Sequence, residues 1–478
     1  MNLQKRIEIL LFCTIFFAYA YFLQGRGGWG TTVRFDFVYA VAEKGTLQID
    51  DYHENTGDKA YFKEHFYLDK APGGVFLGIP VYFIIKSAAN ILHLPIPQDP
   101  NNTFVTSLIT LLAVSLPSAL FIIYFFRFIN SFAKKTIYAL WLALAYGLAT
   151  LAFPYSTLFH GHHIAAICSF ISFGMIFDMK RKKAFENFPL LLAGILAGYS
   201  IISEYQTGLI LIGLSVYLTT ILDQKKKLLY YGLGIFLSLI PLFIFNKLCF
   251  QNIFHLGYNY CWFPEYYAKT KQGIFGINIS SFNVAHLYGI TFSPYRGLFY
   301  FSPFLALAFV GLCFLFRQRQ LRKEGILLTF LSLAYILWFS SYFGWYSGWC
   351  FGPRYLIPIL PFLTFPIIFF LNGFSHRPFM LLLFKALALI SFIYILMGTA
   401  VNPEFIPHLI ARPLQDWCLP AILNGRISFN LGFFLINCFS RWLSNPALSL
   451  LTLLPLLLYL GIMVYILTKL ASKIDAAK

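Results

Sequence analysis

Charge is scarce in this sequence. Only 12% of its 478 residues are charged and 59% are hydrophobic, where a soluble domain carries about 25% charged residues. Such a chain has no polar coat with which to face water, so lipid must solvate most of it. Acidic residues are scarcer still, 19 against 36 lysines and arginines, which leaves a net charge of +17. That surplus would suit nucleic acid, but its distribution argues otherwise. The basic residues sit in short clusters between apolar segments, where they carry topology information. No nucleic-acid partner is expected. The eight cysteines (13, 168, 249, 261, 313, 350, 418 and 438) contain no CxxC and no metal-ligand spacing. Neither a Walker motif nor GxGxxG occurs. No internal repeat of the kind that marks many secondary transporters is visible.

What is plentiful is apolar and aromatic, with 55 Phe and 30 Tyr. Apolar segments of spanning length, about 20 residues, fall near 7–23, 104–126, 137–159, 162–178, 188–203, 205–222, 228–248, 298–316, 326–343, 355–371, 379–400 and 446–468. The expected fold is an all-α polytopic membrane protein with about twelve spans. Residues 1–6 and the run to Ala20 imitate a secretory signal peptide. The apolar and aromatic run continues beyond them, so an uncleaved anchor is expected. The positive-inside rule tests the assignment. Lys5/Arg6, Arg127/Lys134/Lys135, Lys180–Lys183, Lys225–Lys227, Arg317/Arg319/Arg322/Lys323, Arg377 and Lys469/Lys473 all fall on one side. Both termini are then cytoplasmic. Val75–Leu94 is apolar enough to span, but a crossing there would reverse every later cluster. It is read as a juxtamembrane or re-entrant helix on the outer side, ended by Pro95, Pro97 and Pro100. The cytoplasmic side keeps only short connectors, which excludes a built-in nucleotide-binding domain. The outer side receives 24–103, the His160–His163 turn, the Glu204 turn, 249–297, 344–354 and 401–445. Cys261, Cys350, Cys418 and Cys438 lie there, where a disulfide is compatible with the compartment.

The first outer loop, 24–103, stands out. Arg34–Gly74 holds Asp36, Glu43, Asp50, Asp51, Glu54, Asp58, Glu64 and Asp69, eight of the 19 acidic residues. Charge at a membrane surface is costly to keep, so the loop is a candidate site. Asp36 opens a stretch read as helical to Lys44, where a carboxylate suits a helix N-terminus. It is a candidate general base for an acceptor hydroxyl; a helix cap or an ion pair with Arg34 is the bland alternative. Asp69-Lys70-Ala71-Pro72 closes the loop, and Lys70 suits an anionic phosphate or simply snorkels. His162, in Phe159–His163, can take protons or ligate metal, or only hydrogen-bond at the interface. Glu204 is a lone outer carboxylate with a structural alternative. Arg296 and Arg354 sit at outer mouths of spans, against the inward bias of basic residues. Phosphate or diphosphate binding and pairing with the acidic loop or Glu204 are equally good reasons. The Trp and Tyr around Arg354 suit an aromatic belt or a sugar-stacking surface.

Together these residues resemble the GT-C superfamily of polyprenyl-phosphate-sugar-dependent glycosyltransferases, among bacterial members related to protein O-mannosyltransferases and the lipid A aminoarabinose transferase. The resemblance covers most of residues 1–360. It rests on Asp36 after span one, Asp69-Lys70-Ala71-Pro72 some thirty residues later, Gly161-His162, Glu204-Tyr205, Arg296–Phe299 and Gly352–Leu356, in that order. It implies a catalytic base at Asp36 and donor-phosphate binding by Lys70 with Arg296 or Arg354. Asp69, His162 and Glu204 are implied as support. If a divalent metal is used, Asp69 and His162 are its implied ligands. The family's acidic pair is broken here by Phe37, which leaves Asp36 without a neighbouring carboxylate.

The expected function is inverting transfer of a single sugar from a polyprenyl-phosphate carrier to an acceptor hydroxyl, on a lipid, a glycan or a protein, at the outer face. The resemblance implies a bacterial inner membrane. Residues 1–400 form the GT-C-like catalytic module, and 401–478 an outer loop plus the last span. Acceptor recognition is expected from loops 249–297 and 401–445. A glycan ligase or polymerase using lipid-diphosphate donors is the first alternative; it would use Arg412, Arg426, Arg441 and His408. A lipid-linked sugar transporter is the second, but it wants ionisable groups near the midplane, and here the polar residues lie outside. A non-catalytic subunit is the third, and would survive loss of Asp36.

Overall fold

The computed structural model describes residues 2–25, 27–263, 265, 268–269, 282–433 and 446–477. Its helices follow the apolar segments. They begin with α1 (Leu3–Tyr21) and α2 (Trp29–Tyr39). A hairpin of β1 (Ala60–Phe62) and β2 (His65–Tyr67) comes next. Then come α3 (Gly73–Ile91), α4 (Thr103–Asn130), α5 (Thr136–Ala149), α6 (Ala152–Ser156), α7 (Gly161–Lys182), α8 (Asn187–Ser203), α9 (Gly208–Ile221) and α10 (Leu228–Phe250). The second half holds α11 (Leu307–Arg317), α12 (Arg322–Ser340), α13 (Arg354–Gly373), α14 (Pro378–Ala400) and α15 (Leu454–Ala476).

Among the described residues, eight helical segments are long and apolar enough to cross a membrane. Seven coincide with expected spans, and the eighth is Gly73–Ile91. Four further expected spans are apolar helices of 10–17 residues. The protein is an integral membrane protein of predominantly helical build.

Two expected spans are broken. The 137–159 segment bends between α5 and α6 at Thr150, whose backbone is extended (ψ 173°) ahead of Pro154. The 298–316 segment breaks at Ser302, before Pro303, because proline cannot donate the helical bond. Three prolines, Pro358, Pro361 and Pro366, likewise break α13 into short turns. The hairpin adds strand to a fold expected to be all helix. Its turn residues Lys63 and Glu64 both take positive φ (50° and 68°), the backbone of a tight two-residue hairpin turn.

Packing sorts the helices. The α13 span is 94% buried and α7 83%, whereas α14 is 17% and α3 and α10 are 28%. The centre is an aromatic core of α4, α7 and α13, with Phe128 against Phe365 (ring centroids 5.0 Å) and Phe170 against Phe362 (5.2 Å). The outer helices present Leu229, Leu233, Phe236, Leu237, Ile244 and Leu248 of α10 to the surroundings, as lipid-facing helices do. At the α8–α10 crossing a Cβ on Gly194 would lie 2.1 Å from Tyr231 O, and one on Gly234 2.1 Å from Leu191 O. Only glycine allows that approach.

The basic connectors gather at one end of the bundle. Lys180 Nζ meets Glu324 Oε1 (2.5 Å) and Gln320 O (3.0 Å), and Lys323 reaches Thr220 O (2.6 Å). Arg127 pairs with Glu8 (2.6 Å), Lys134 holds Asn372 O (3.0 Å), and Asp475 accepts from the backbone amides of Thr136 and Ile137 at the start of α5 (2.6 and 3.0 Å). The clusters that the sequence places on one side therefore touch one another. Both flanks of α3 lie at the opposite end. Gly73 O receives the Tyr199 hydroxyl (2.8 Å), and beyond the helix Asn101 Nδ2 comes within 3.5 Å of Asn55 Oδ1 in the acidic loop. The stretches before and after α3 therefore meet in the acidic loop.

Candidate active site

Asp36 lies in the middle of α2 and is fully buried. The sequence expected it to open that helix. The helix instead starts at Trp29, because Gly27-Gly28 breaks the chain and Thr31–Tyr39 carry the buried positions. The dipole argument for Asp36 therefore falls. Its Oδ1 accepts from Asn55 Nδ2 at 3.0 Å. Arg34, the bland partner considered for it, is placed against Glu204 instead (Nη2 to Oε1, 3.8 Å) and donates to Gly30 O.

Loop 45–72 is folded down onto α2. Asp50 accepts from Phe66 N (2.7 Å) and contacts His65 Nδ1 (2.7 Å), while Thr56 Oγ1 donates to Trp29 O (3.1 Å). Three residues after Asn55, Asp58 Oδ2 sits 3.0 Å from Lys70 Nζ, which also meets Asp69 Oδ2 at 2.9 Å. One short stretch of loop thus touches both Asp36 and Lys70. Burial opposes a charge on Lys70, but Asp58 and Asp69 outweigh it and hold the ammonium above its ordinary value. Its Nζ lies 5.7 Å from the Tyr258 ring centroid.

The turn between α6 and α7 brings in a second group. His160 and His162 stack with centroids 5.4 Å apart, and His162 Nδ1 lies 3.1 Å from Glu204 Oε1. His160 Nε2 donates to Glu404 Oε1 at 2.5 Å. Glu404 also accepts from Gly28 N (2.8 Å) and from the Thr31 hydroxyl, so it caps α2 from a distant loop. Burial would raise the Glu404 carboxyl, yet His160, Thr31 and Arg354 bring it down to about 2. Burial lowers His160 to about 4, with Arg34 adding to that and Glu404 opposing it. The ring is neutral and the carboxylate ionised at pH 7. His163 is elsewhere, hydrogen-bonded to Ser118 (2.9 Å), Ser156 (2.7 Å) and Tyr146 (3.0 Å) inside the bundle.

The two arginines part company. Arg296 is fully buried, and its guanidinium is committed to backbone carbonyls: Nε to Tyr346 O (2.9 Å), Nη2 to Gly348 O (3.1 Å) and Nη1 to Tyr295 O (3.4 Å). It orders the 345–350 loop. Arg354, at the start of α13, has an Nε that is buried without a hydrogen-bond partner among the described residues. It lies beside Tyr355, whose ring is 6.0 Å from that of His162. Further buried polar atoms without a partner among the described residues gather here: Arg34 Nε, Asp69 Oδ1, His160 Nδ1, Ser203 Oγ and Tyr205 OH. Orphaned buried polar groups are costly, and a concentration of them marks a place built for a polar ligand.

Among the described residues no three His, Cys, Asp or Glu side chains group to hold a metal. Asp69 is engaged by Lys70 and His162 by Glu204, so the pair implied as ligands is not arranged as one. Cys261, Cys350 and Cys418 are free thiols, and Cys438 lies outside the described residues, as does Arg441. Of the residues a ligase would use, Arg412 is paired with Asp416 (3.0 Å) and His408 stacks on Tyr346 (5.5 Å).

Sequence reasoning missed Asn55, Asp58, His160, Tyr258 and Glu404. Glu404 carried a usable signal: it is one of very few carboxylates outside the first loop on the outer side. Asn55 and Asp58 carried none beyond their place in an acid-rich loop.

No family model and no curated protein matches the sequence. Solved structures do match. ArnT from Cupriavidus metallidurans bound to undecaprenyl phosphate superposes with a TM-score of 0.53 at 14% identity, covering 97% of this chain and 77% of that one. The Archaeoglobus fulgidus oligosaccharyltransferase in the apo form superposes with a TM-score of 0.52 at 11% identity, covering 84% of this chain and 56% of that one. The chain shares the overall fold of these two structures.

Proposed function

We propose that the protein is an inverting glycosyltransferase that moves one sugar from a polyprenyl-phosphate carrier to an acceptor hydroxyl at the outer face of the membrane. The observation that carries this reading is the Asn55–Asp58 stretch. It ties a buried carboxylate to a partly buried cation through contacts of 3.0 Å at each end. Asp36 takes the proton of the acceptor hydroxyl as its oxygen attacks the anomeric carbon. The carbon–phosphate oxygen bond breaks, and the electron pair leaves on the carrier phosphate. Lys70 and the unpartnered Nε of Arg354 offset the charge that develops there. Arg296 positions the loop next to Arg354 and does not itself hold the phosphate. His162, Glu204 and Asp69 orient the cations. The carrier already holds an activated sugar, so no nucleotide enters. If a divalent metal takes part, Asp69 and His162 would have to leave Lys70 and Glu204 to bind it.

The donor class is tested in isolated membranes with a radiolabelled sugar on a polyprenyl monophosphate, on a polyprenyl diphosphate, or on a nucleotide. Transfer from the monophosphate alone, giving a product of inverted anomeric configuration, is the expected result. Transfer from the diphosphate alone would replace this reading with a glycan ligase.

A further inference from the structure

A cavity of about 670 Å³ lies beside the active cluster, within the range of about 300–1,000 Å³ usual for small-molecule sites. Its walls are the two residues Leu23 and Gln24 beyond α1, the first residue of α4 and the stretch from 401 to 429, and they include Asn402, Phe405, Trp417, Asn424 and Arg426. Gln24 is only 6% exposed. Its Nε2 donates to Thr399 O at 2.9 Å, which fixes the orientation of the amide. The other end of that amide, Oε1, is buried with no partner among the described residues. A buried carbonyl oxygen left without a donor is costly, and a donor supplied by a ligand removes the cost.

The lining makes two demands. Trp417 and Phe405 contribute aromatic rings to the lining, while Gln24, Asn402, Asn424 and Arg426 contribute amides and a charge. A hydrocarbon chain satisfies the rings and strands the Gln24 oxygen. A sugar ring satisfies both, with apolar C–H faces against the aromatics and hydroxyls donating to the amide oxygen.

The cavity also communicates with Asp36 by two routes. Asn402 Oδ1 accepts from Glu404 N (3.0 Å), and Glu404 in turn holds Gly28 and Thr31 at the head of the helix that carries Asp36. On the other wall, Thr103 follows Asn101, whose Nδ2 is 3.5 Å from Asn55 Oδ1, and Asn55 binds Asp36.

We propose that this cavity receives a sugar unit of the acceptor, so that the acceptor is a glycan or glycolipid that presents its hydroxyl to Asp36. The assignment rests on the transfer reading above and gives that reading its acceptor class. It is tested by saturation-transfer NMR on the full chain in lipid nanodiscs free of glycolipid, with methyl hexosides as the probe and decylphosphocholine as a second probe. The expected result is saturation of the sugar ring protons in wild type, cut at least several-fold in Gln24→Leu and in Trp417→Ala. Trp417→Phe, which keeps a ring, retains it. Sugar saturation that is absent, or unchanged in Gln24→Leu and Trp417→Ala, overturns the proposal. So does saturation confined to the decyl chain and lost in Trp417→Ala, which would make the cavity a lipid site. Sugar binding in a protein that transfers nothing from any carrier would leave the cavity assigned and remove the transferase reading. Transfer without sugar binding would do the reverse.

Discussion

Lys70 and Arg354 are both cations at the proposed phosphate site, but their surroundings differ. Lys70 is paired with two carboxylates, Asp58 (3.0 Å) and Asp69 (2.9 Å), whereas Arg354 keeps a buried Nε without a partner among the described residues. Their substitutions should therefore separate. Lys70→Ala leaves Asp58 and Asp69 without the ammonium that both contact, and breaking a mostly buried pair costs roughly 3–5 kcal/mol. It should lower the melting temperature of the purified protein as well as abolish transfer. Arg354→Gln removes a guanidinium whose Nε has no hydrogen-bond partner among the described residues, so it should weaken donor binding at least tenfold in a carrier-lipid titration while lowering the melting temperature less than Lys70→Ala does. A large drop in melting temperature for Arg354→Gln would make that residue structural. The sequence showed the chemical types at this scale, Asp36, Lys70 and the two arginines, because isolated charge in apolar sequence is conspicuous. It could not tell Arg296 from Arg354. Both stand at the mouth of a span, and only the folded loop shows that Tyr346 O and Gly348 O absorb the first.

At the scale of elements, the site is a junction of α2, loop 45–72, the α6–α7 turn and the loop after α14. Glu404 is the pin: it receives Gly28 N, the Thr31 hydroxyl and His160 Nε2. Glu404→Ala frees all three donors, and unmet buried donors cost about 1–3 kcal/mol each. Hydrogen exchange should then quicken roughly tenfold to a hundredfold in residues 28–34 and 401–412 while α7 stays protected. Exchange left as in wild type would show that other contacts hold the loop. The same pin responds to acid. His160 is lowered from 6.5 to about 4 and Glu404 from 4.5 to about 2. Both bind protons more readily when unfolded, so stability is present above pH about 6.5 and falls as the pH drops below it. The melting temperature should decline through that window, and His160→Gln should flatten the decline between pH 6.5 and 4. The helices themselves were legible from apolar runs and prolines. The start of α2 was not, because Gly27-Gly28 competes with the acidic residue as a boundary signal. Nor was the link from Glu404 to α2, which spans 376 positions of sequence and leaves no local pattern.

The whole molecule is divided end from end. Arg127, Lys134, Lys180 and Lys323 are held at one pole by Glu8, Asn372, Glu324 and Thr220, and the buried polar cluster occupies the other. This division was readable beforehand, since the positive-inside rule acts on sequence position alone. The same rule sets the expected path of α3, and Asn101 Nδ2 comes within 3.5 Å of Asn55 Oδ1. Topology follows as a test in a background with the native cysteines replaced. Cysteines introduced at Lys183 and at Leu409 should react with an impermeant thiol reagent from opposite sides of the membrane. One at Asp99 should react from the same side as Leu409. Reaction of Asp99→Cys from the Lys183 side would make α3 a full crossing. On the proposed reading, one carboxylate decides activity. The polar end is assembled from distant stretches of the chain, and the chemistry assigned to it converges on Asp36. The most direct measurement is single-turnover sugar transfer from a polyprenyl-phosphate carrier in nanodiscs, with donor binding read in parallel, for wild type and Asp36→Asn. The account predicts that the variant binds donor as wild type does and transfers about 10²–10⁴-fold more slowly; transfer at the wild-type rate would contradict it.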